Sequence, residues 1–295
     1  MIAFQNKATV YAILFKAAAE AMMTLASNPR RLGAEIGVVA VLHTWGQALT
    51  HHPHVHCVVP GGGLSSDGAR WVAGRATFFL PVKPLSRLFR RLFLGRLKAA
   101  FDAGALGFFG DLAHLAEPTA FATHLTAMRH VDWVVYAKKF GGPAQVLAYL
   151  GRYTHRVAIA NSRLVALDND HVAFRWKDYR QGGITKVMKL KASEFIRRFL
   201  LHALPDSFHR IRHFGFMANG HRAAKFALCR SLLADHGEQP APKNVEPASS
   251  NSTHQSSADV PACPHCGGVM RVIIRFTHSF DRTGTRTSSF WCDTS

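Results

Sequence analysis

Apolar positions recur at helical spacing from Ala8 to Ala26, where Tyr11, Leu14, Phe15, Ala18, Met22 and Leu25 form a stripe, and Asn28-Pro29 ends the run. This predicts an amphipathic helix. The period then changes. Glu35 to Trp45 (EIGVVAVLHTW) is dense in Val and Ile and reads as a buried strand. A second strand is predicted over Val55 to Val59, stopped by Pro60-Gly61-Gly62-Gly63, and the short link between the two implies an antiparallel hairpin. Leu85 to Asp102 is a basic amphipathic helix with Arg87, Arg90, Arg91, Arg96 and Lys98 set between Leu and Phe positions. Asp132 to Ala137 (DWVVYA) reads as a short strand. Lys138 to Gly142 forms a basic, glycine-containing loop, and Pro143 suits the first turn of a helix running through Ala144 to about His155. Arg163 to Leu167 and Val172 to Trp176 form a hairpin across Asp168-Asn169-Asp170, and Ile184 to Leu190 adds a strand. Helices over Glu194 to Ala203 and Gly220 to Leu233 complete the pattern. The predicted class is α+β, a central, mainly antiparallel sheet flanked by helices.

From residue 236 to 261 the periodicity disappears, Pro, Ser, Asn and Gln dominate, and aromatics are absent, as in a disordered linker. The chain thus divides into a body (1–235), a linker (236–261) and a short tail (262–295). Charge sharpens this division. Of 36 Lys and Arg against 18 Asp and Glu, the last 60 residues hold five of each sign, so the whole formal charge of +18 falls on the body. A surface so basic suits a polyanionic partner, recruited by counterion release. The five cysteines are too few and too scattered for a disulfide framework. No apolar run approaches the roughly 20 residues that span a membrane, and the N-terminus lacks a signal-peptide pattern. The expectation is a cytoplasmic, nucleoid-associated protein with no membrane partner.

The densest chemical signal is His51-His52-Pro53-His54-Val55-His56. On a strand, residues i and i+2 share a face, so His54 and His56 present two imidazoles together, a good pair for a divalent metal. A third ligand must come from a neighbouring element; His43 stands near the end of the preceding strand, with Gln47 and His52 as alternatives. The second signal is Tyr149-Leu150-Gly151-Arg152-Tyr153, whose tyrosines lie one helical turn apart on one face. Such a pair can be plain core packing. Against that stand the cationic neighbours Arg152, His155 and Arg156, the electropositive start of the helix after Lys138-Lys139, and Gly151, which costs about 1 kcal/mol of helix stability relative to Ala. Trp176, Lys177 and Tyr179 could stack on unpaired bases or belong to the core. Cys263 and Cys266 form half of a zinc knuckle, with Cys292, His265 and His278 the nearby candidates to complete it.

A two-histidine strand followed by a two-tyrosine helix resembles the HUH endonuclease superfamily, in which U is a hydrophobic residue. Within it the chain resembles the two-tyrosine rolling-circle transposases of the IS-ninety-one/ISCR insertion-sequence group. The resemblance extends through LHTWGQALTHHPHVHCVVPGGGLS, FGGPAQVLAYLGRYTHRVAIANSRL, FRWKDYRQGG and FIRRFLLHALPDSFHRIRHFGF, covering roughly Gln5 to Leu233. It implies a central sheet carrying the HUH strand with the tyrosine helix beside it. It implies Mg²⁺ or Mn²⁺ on His54 and His56 with one further ligand, for which His43 falls at a position where the family tends to place His or Gln. It implies Tyr149 and Tyr153 as nucleophiles, and a reaction on single-stranded DNA at element termini through a 5′-phosphotyrosine intermediate. Lys138, Lys139, Arg152 and Arg156 are expected to hold flanking phosphates. Members of the group carry a cysteine-rich zinc-binding region ahead of the catalytic body, which this sequence is expected to lack. Two other readings stay open: a plasmid replication initiator or conjugative relaxase, although no GKS/T phosphate-binding loop is present, and a DNA-binding transposase remnant without catalysis.

Overall fold

The computed structural model describes residues 1–75, 79–139, 142–155, 158–168 and 170–235, apart from the side chains of 143, 152–155 and 235. In chain order the elements are α1 (Ile2–Gln5), α2 (Lys7–Ser27), β1 (Ala34–Glu35), β2 (Gly37–Trp45), β3 (His51–Val58), β4 (Gly62–Ser65) and β5 (Trp71–Ala73). There follow α3 (Val82–Asp102), α4 (Pro118–His130), α5 (Pro143–His155), β6 (Leu164–Leu167), β7 (His171–Asp178), β8 (Ile184–Lys191), α6 (Ala192–Leu200), β9 (Ile211–Gly215) and α7 (Arg222–Asp235). The class is α+β, and every strand pairing is antiparallel. Among the described residues there are, in place of one central sheet, three sheets of three strands each, ordered β1-β4-β5, β3-β2-β9 and β6-β7-β8.

The histidine-bearing sheet is built on α2. Val10, Tyr11, Ile13, Leu14, Phe15, Ala17, Ala18, Ala19 and Ala21 are all buried, positions that cover nearly every face of the helix. It is therefore the central core helix and not an amphipathic one. By length and composition it is also apolar enough to cross a membrane, contrary to the sequence reading. Its apolar surface packs instead against Ile36, Val38, Ala40 and Leu42 of the β1–β2 region and against Phe93, Leu94 and Leu97 of α3.

Several differences from the expected elements have local causes. The Pro60–Gly63 segment was expected only to stop a strand, yet Gly62 and Gly63 form β4, the middle strand of its sheet. A Cβ at Gly62 would lie 2.5 Å from the Val72 carbonyl oxygen, and one at Gly63 2.4 Å from that of Glu35. Glycine here allows a close backbone approach. The expected strand at 132–137 does not form. Trp133 and Val135 pack on the core while Val134 and Tyr136 are exposed, and the carbonyls of Val131 and Trp133 accept hydrogen bonds from Arg90 and Ser86 of α3. Helix α4 and strand β9 had no expectation at all. The linker and tail, with Cys263 and Cys266, lie outside the described residues.

Candidate metal centre and tyrosine site

Strand β3 is an edge strand, which is why Pro53 is tolerated within it. Its register against β2 puts His43 directly opposite His54 and Val41 opposite His56. The ladder then slips: Trp45 pairs with His51, leaving one extra residue on β3, a bulge at the end of the histidine segment. Directly opposed side chains share a face, so His43 joins His54 and His56. Their ligand nitrogens all lie within 4.8 Å of one another. Ring centroids are 4.0 Å apart for His43 and His56, 4.9 Å for His54 and His56, and 5.4 Å for His43 and His54.

The surroundings hold His54 and His56 toward the neutral form. His54 Nδ1 donates to the His52 carbonyl at 2.7 Å, which fixes its tautomer and leaves the Nε2 lone pair for a metal. Burial holds the His54 imidazole below its ordinary pKa. Burial, followed by the neighbouring His54, pushes His56 down to about 4. His43 is buried at 2% exposure and stacks on Trp45 with ring centroids 4.9 Å apart and planes at 17°. A three-imidazole cluster could hold one divalent ion. Tetrahedral ligand nitrogens about 2.1 Å from a shared ion stand about 3.4 Å apart. Nitrogens spread over as much as 4.8 Å would have to close by up to about 1.4 Å to share one ion.

Helix α5 brings Tyr149 to this cluster. Its hydroxyl is hydrogen-bonded to His56 Nδ1, and the two rings lie 5.9 Å apart. Tyr153 and Arg152 lie on the same helix, but their side chains are outside the described residues, as is Arg156 altogether. Lys138 and Lys139 are exposed, a few residues ahead of α5. Of the rivals to His43, Gln47 is engaged elsewhere: its side-chain oxygen accepts from the Lys177 amide at 3.4 Å and its carbonyl from Arg163. His52 is exposed, with its ring 5.1 Å from His54. Trp176 turns inward against Leu49 and Phe174, whereas Tyr179 is 70% exposed in the turn after β7.

The sequence reading missed a polar layer on the other side of β3. Tyr11, fully buried in α2, donates its hydroxyl proton to His51 Nε2 at 2.8 Å. Thr44 donates to His202 Nδ1, and His202 Nε2 donates to the Leu49 carbonyl, both at 3.3 Å. Parity could not have signalled it, because the one-residue bulge between His51 and His54 breaks the alternation. The contact with Tyr11 of the core helix is what places His51 away from the cluster.

Comparison with known proteins bears on the same residues. The family model described as "Putative transposase" (Y2_Tnp) matches residues 37–225, a span that contains β2, β3 and α5. The chain is 56% identical over 278 residues to "Putative transposase y4qJ" of Sinorhizobium fredii, covering 92% of this chain and 70% of that protein. It is 29% identical over 212 residues to the transposase for insertion sequence element IS801 of Pseudomonas savastanoi pv. phaseolicola. That match covers 70% of this chain and 48% of the relative, about half its length. No solved structure gives a significant match. With a family model spanning the greater part of its length and a relative at 56% identity, this chain belongs to the Y2_Tnp family of insertion-sequence transposases.

Proposed function

We propose that residues 1–235 are the catalytic body of an HUH-type nuclease that cuts single-stranded DNA at the ends of a mobile element and rejoins it in rolling-circle transposition. The observation that carries this reading is the meeting of His43, His54 and His56 with the hydroxyl of Tyr149. Three imidazoles able to hold a metal, with a tyrosine hydroxyl beside them, suit transesterification of a phosphodiester better than simple packing.

Each side chain has a part. His43, His54 and His56 would hold a divalent cation, Mg²⁺ or Mn²⁺. Three neutral nitrogen donors suit Mn²⁺ better than the oxygen-seeking Mg²⁺. When bound, the ion supplies positive charge against the developing charge of the scissile phosphate. With Nε2 of His56 as the ligand atom, its proton sits on Nδ1 and is donated to the Tyr149 oxygen. That bond would aim the phenol and stabilise its oxygen as the phenolic proton passes to solvent water, which in turn protonates the leaving 3′-oxygen. The tyrosine oxygen then forms the bond to phosphorus while the bond to the 3′-oxygen breaks. The 3′-oxygen takes up a proton, and the 5′-phosphate stays on the protein. The bond energy is kept for rejoining. Tyr153, one turn further on, would serve a second transfer. Lys138, Lys139, Arg152 and Arg156 would hold phosphates on either side.

The test is an adduct gel with wild-type protein, Mn²⁺ and labelled single-stranded DNA from an element end, followed by peptide mapping. A denaturation-resistant adduct on Tyr149 or Tyr153 is expected, and the Tyr149→Phe/Tyr153→Phe protein should form none while still binding DNA. An adduct on any other residue overturns the assignment.

A further inference from the structure

The sheet β6-β7-β8 stands apart from the metal cluster and has two unlike faces. Along β7 the inward positions Val172, Phe174, Trp176 and Asp178 are buried or half-buried, and along β8 so are Lys186, Met188 and Leu190. The intervening residues point outward. Register pairs Arg175 with Val187, Ala173 with Lys189, His171 with Lys191 and Lys177 with Thr185, so the outer face carries Lys177, Arg175, Lys189 and Lys191 in a diagonal row. The row covers six residue steps, about 20 Å at about 3.4 Å per residue. Lys189 is paired with Asp168 at 3.0 Å at the rim of the face. Among the described residues no carboxylate lies within ion-pair distance of Arg175, Lys177 or Lys191. Phe174 and Trp176 lie inward and Tyr179 sits in the turn beyond this face, while the His171 imidazole, at the Lys191 end, lies 3.7 Å from the carboxylates of Asp168 and Asp170.

We infer that this outer face is a docking surface for the phosphate backbone of double-stranded DNA flanking the cleaved strand. A row of cations with no Phe, Tyr or Trp among them suits phosphate contacts better than the aromatic stacking on which single-strand platforms rely. At 3.4 Å per base pair, about 20 Å matches roughly six base pairs of duplex. The face is also tied to the histidine strands. Gln47, in the loop between β2 and β3, accepts from the Lys177 amide and from Arg163, and Arg198 of α6 donates to the Ala48 carbonyl at 3.2 Å. Leu49 of the same loop is buried against Phe174. A duplex held on β7 and β8 is thereby placed relative to the strand that carries His54 and His56.

The inference rests on the nuclease reading for its choice of DNA, and the experiment separates the two. The full chain with Arg175→Gln, Lys177→Gln and Lys191→Gln is compared with wild type on a 20-base-pair duplex bearing a single-stranded tail, and on the tail alone. Removing three phosphate contacts lowers the salt slope by about 2.7, so between 50 and 200 mM salt the wild type loses about 40-fold more affinity for the tailed duplex than the variant does. Tail binding and tail cleavage should be unchanged. The Arg175→Lys, Lys177→Arg, Lys191→Arg protein should behave as wild type, which guards against a folding defect. Wild-type affinity and slope in the Gln variant, or equal losses on tail and tailed duplex, would overturn the docking surface while cleavage of the tail still upheld the nuclease. Absence of all DNA binding by wild type would overturn both.

Discussion

Acid should destabilise this fold earlier than its carboxylates alone would require, and His51, depressed as far as His56, supplies one calculable share. Its ring sits against Tyr11, Phe4 and His202, and burial, with the positive groups of His202, Lys7, the N-terminus and His52, pushes its pKa from 6.5 to about 4. The folded-state value is depressed, so the unfolded chain binds the proton first. His51's contribution is complete above pH 6.5 and is lost progressively as pH falls from 6.5 toward 4. A shift of about 2.5 units corresponds to about 3 kcal/mol, or about 6–12 °C in Tm for a body of this size. The assay is urea unfolding of chelator-treated protein at half-unit steps between pH 7.5 and 4, with His51→Gln as comparison. Wild type should lose about 1.4 kcal/mol per pH unit more than the variant across this window. Parallel slopes in the two proteins would refute the argument. His54, His56, His202 and His213 are also lowered by burial and should steepen both curves alike.

Two further outcomes follow from the site and its sheet. Replacing His54 and His56 together by Ala should abolish Mn²⁺ binding measured by calorimetry while leaving single-strand affinity within a few fold; undiminished Mn²⁺ binding would place the metal elsewhere. Gly215→Ala should cost about 2–4 kcal/mol in urea unfolding, because residue 215 has φ +61° and an added Cβ would lie 1.8 Å from the Ile36 carbonyl oxygen. A loss under about 0.5 kcal/mol would show that β9 can move away from β2 at little cost.

Local chemistry made part of this protein legible in its sequence. His54 and His56 could be placed on one face because strand parity needs no tertiary information, and the β2–β3 hairpin follows from two apolar runs and a short link. His43 was one of three candidates until the register set it opposite His54. A one-residue bulge decides that register, and no pattern in the sequence marks where it falls. Strand β9 was missed because IRHFG alternates weakly and reaches its place only by pairing with a segment far away in the chain. Helix α4 was missed because its inward side rests on little more than Phe121 and Leu125. DWVVYA has the composition of a strand, but hydrogen bonds from α3 occupy two of the nearby carbonyls. Trp45 was legible as apolar, and only the fold shows that it stacks on His43.

The pairing of Gly37 with Gly215 also orders events in time. These residues are separated by nearly 180 positions, so at 5–20 residues per second the ribosome needs about 10–40 s after making β2 before β9 exists. Throughout that interval one edge of β2, carrying Val38 and Ala40, has no backbone partner on the β9 side. Nascent chains arrested before Ile211 keep the histidine hairpin but not the strand that closes its sheet, and their open edge can recruit a neighbouring chain. Synthesis through Gly215 is therefore the step that gives the open edge of β2 its partner and finishes the sheet.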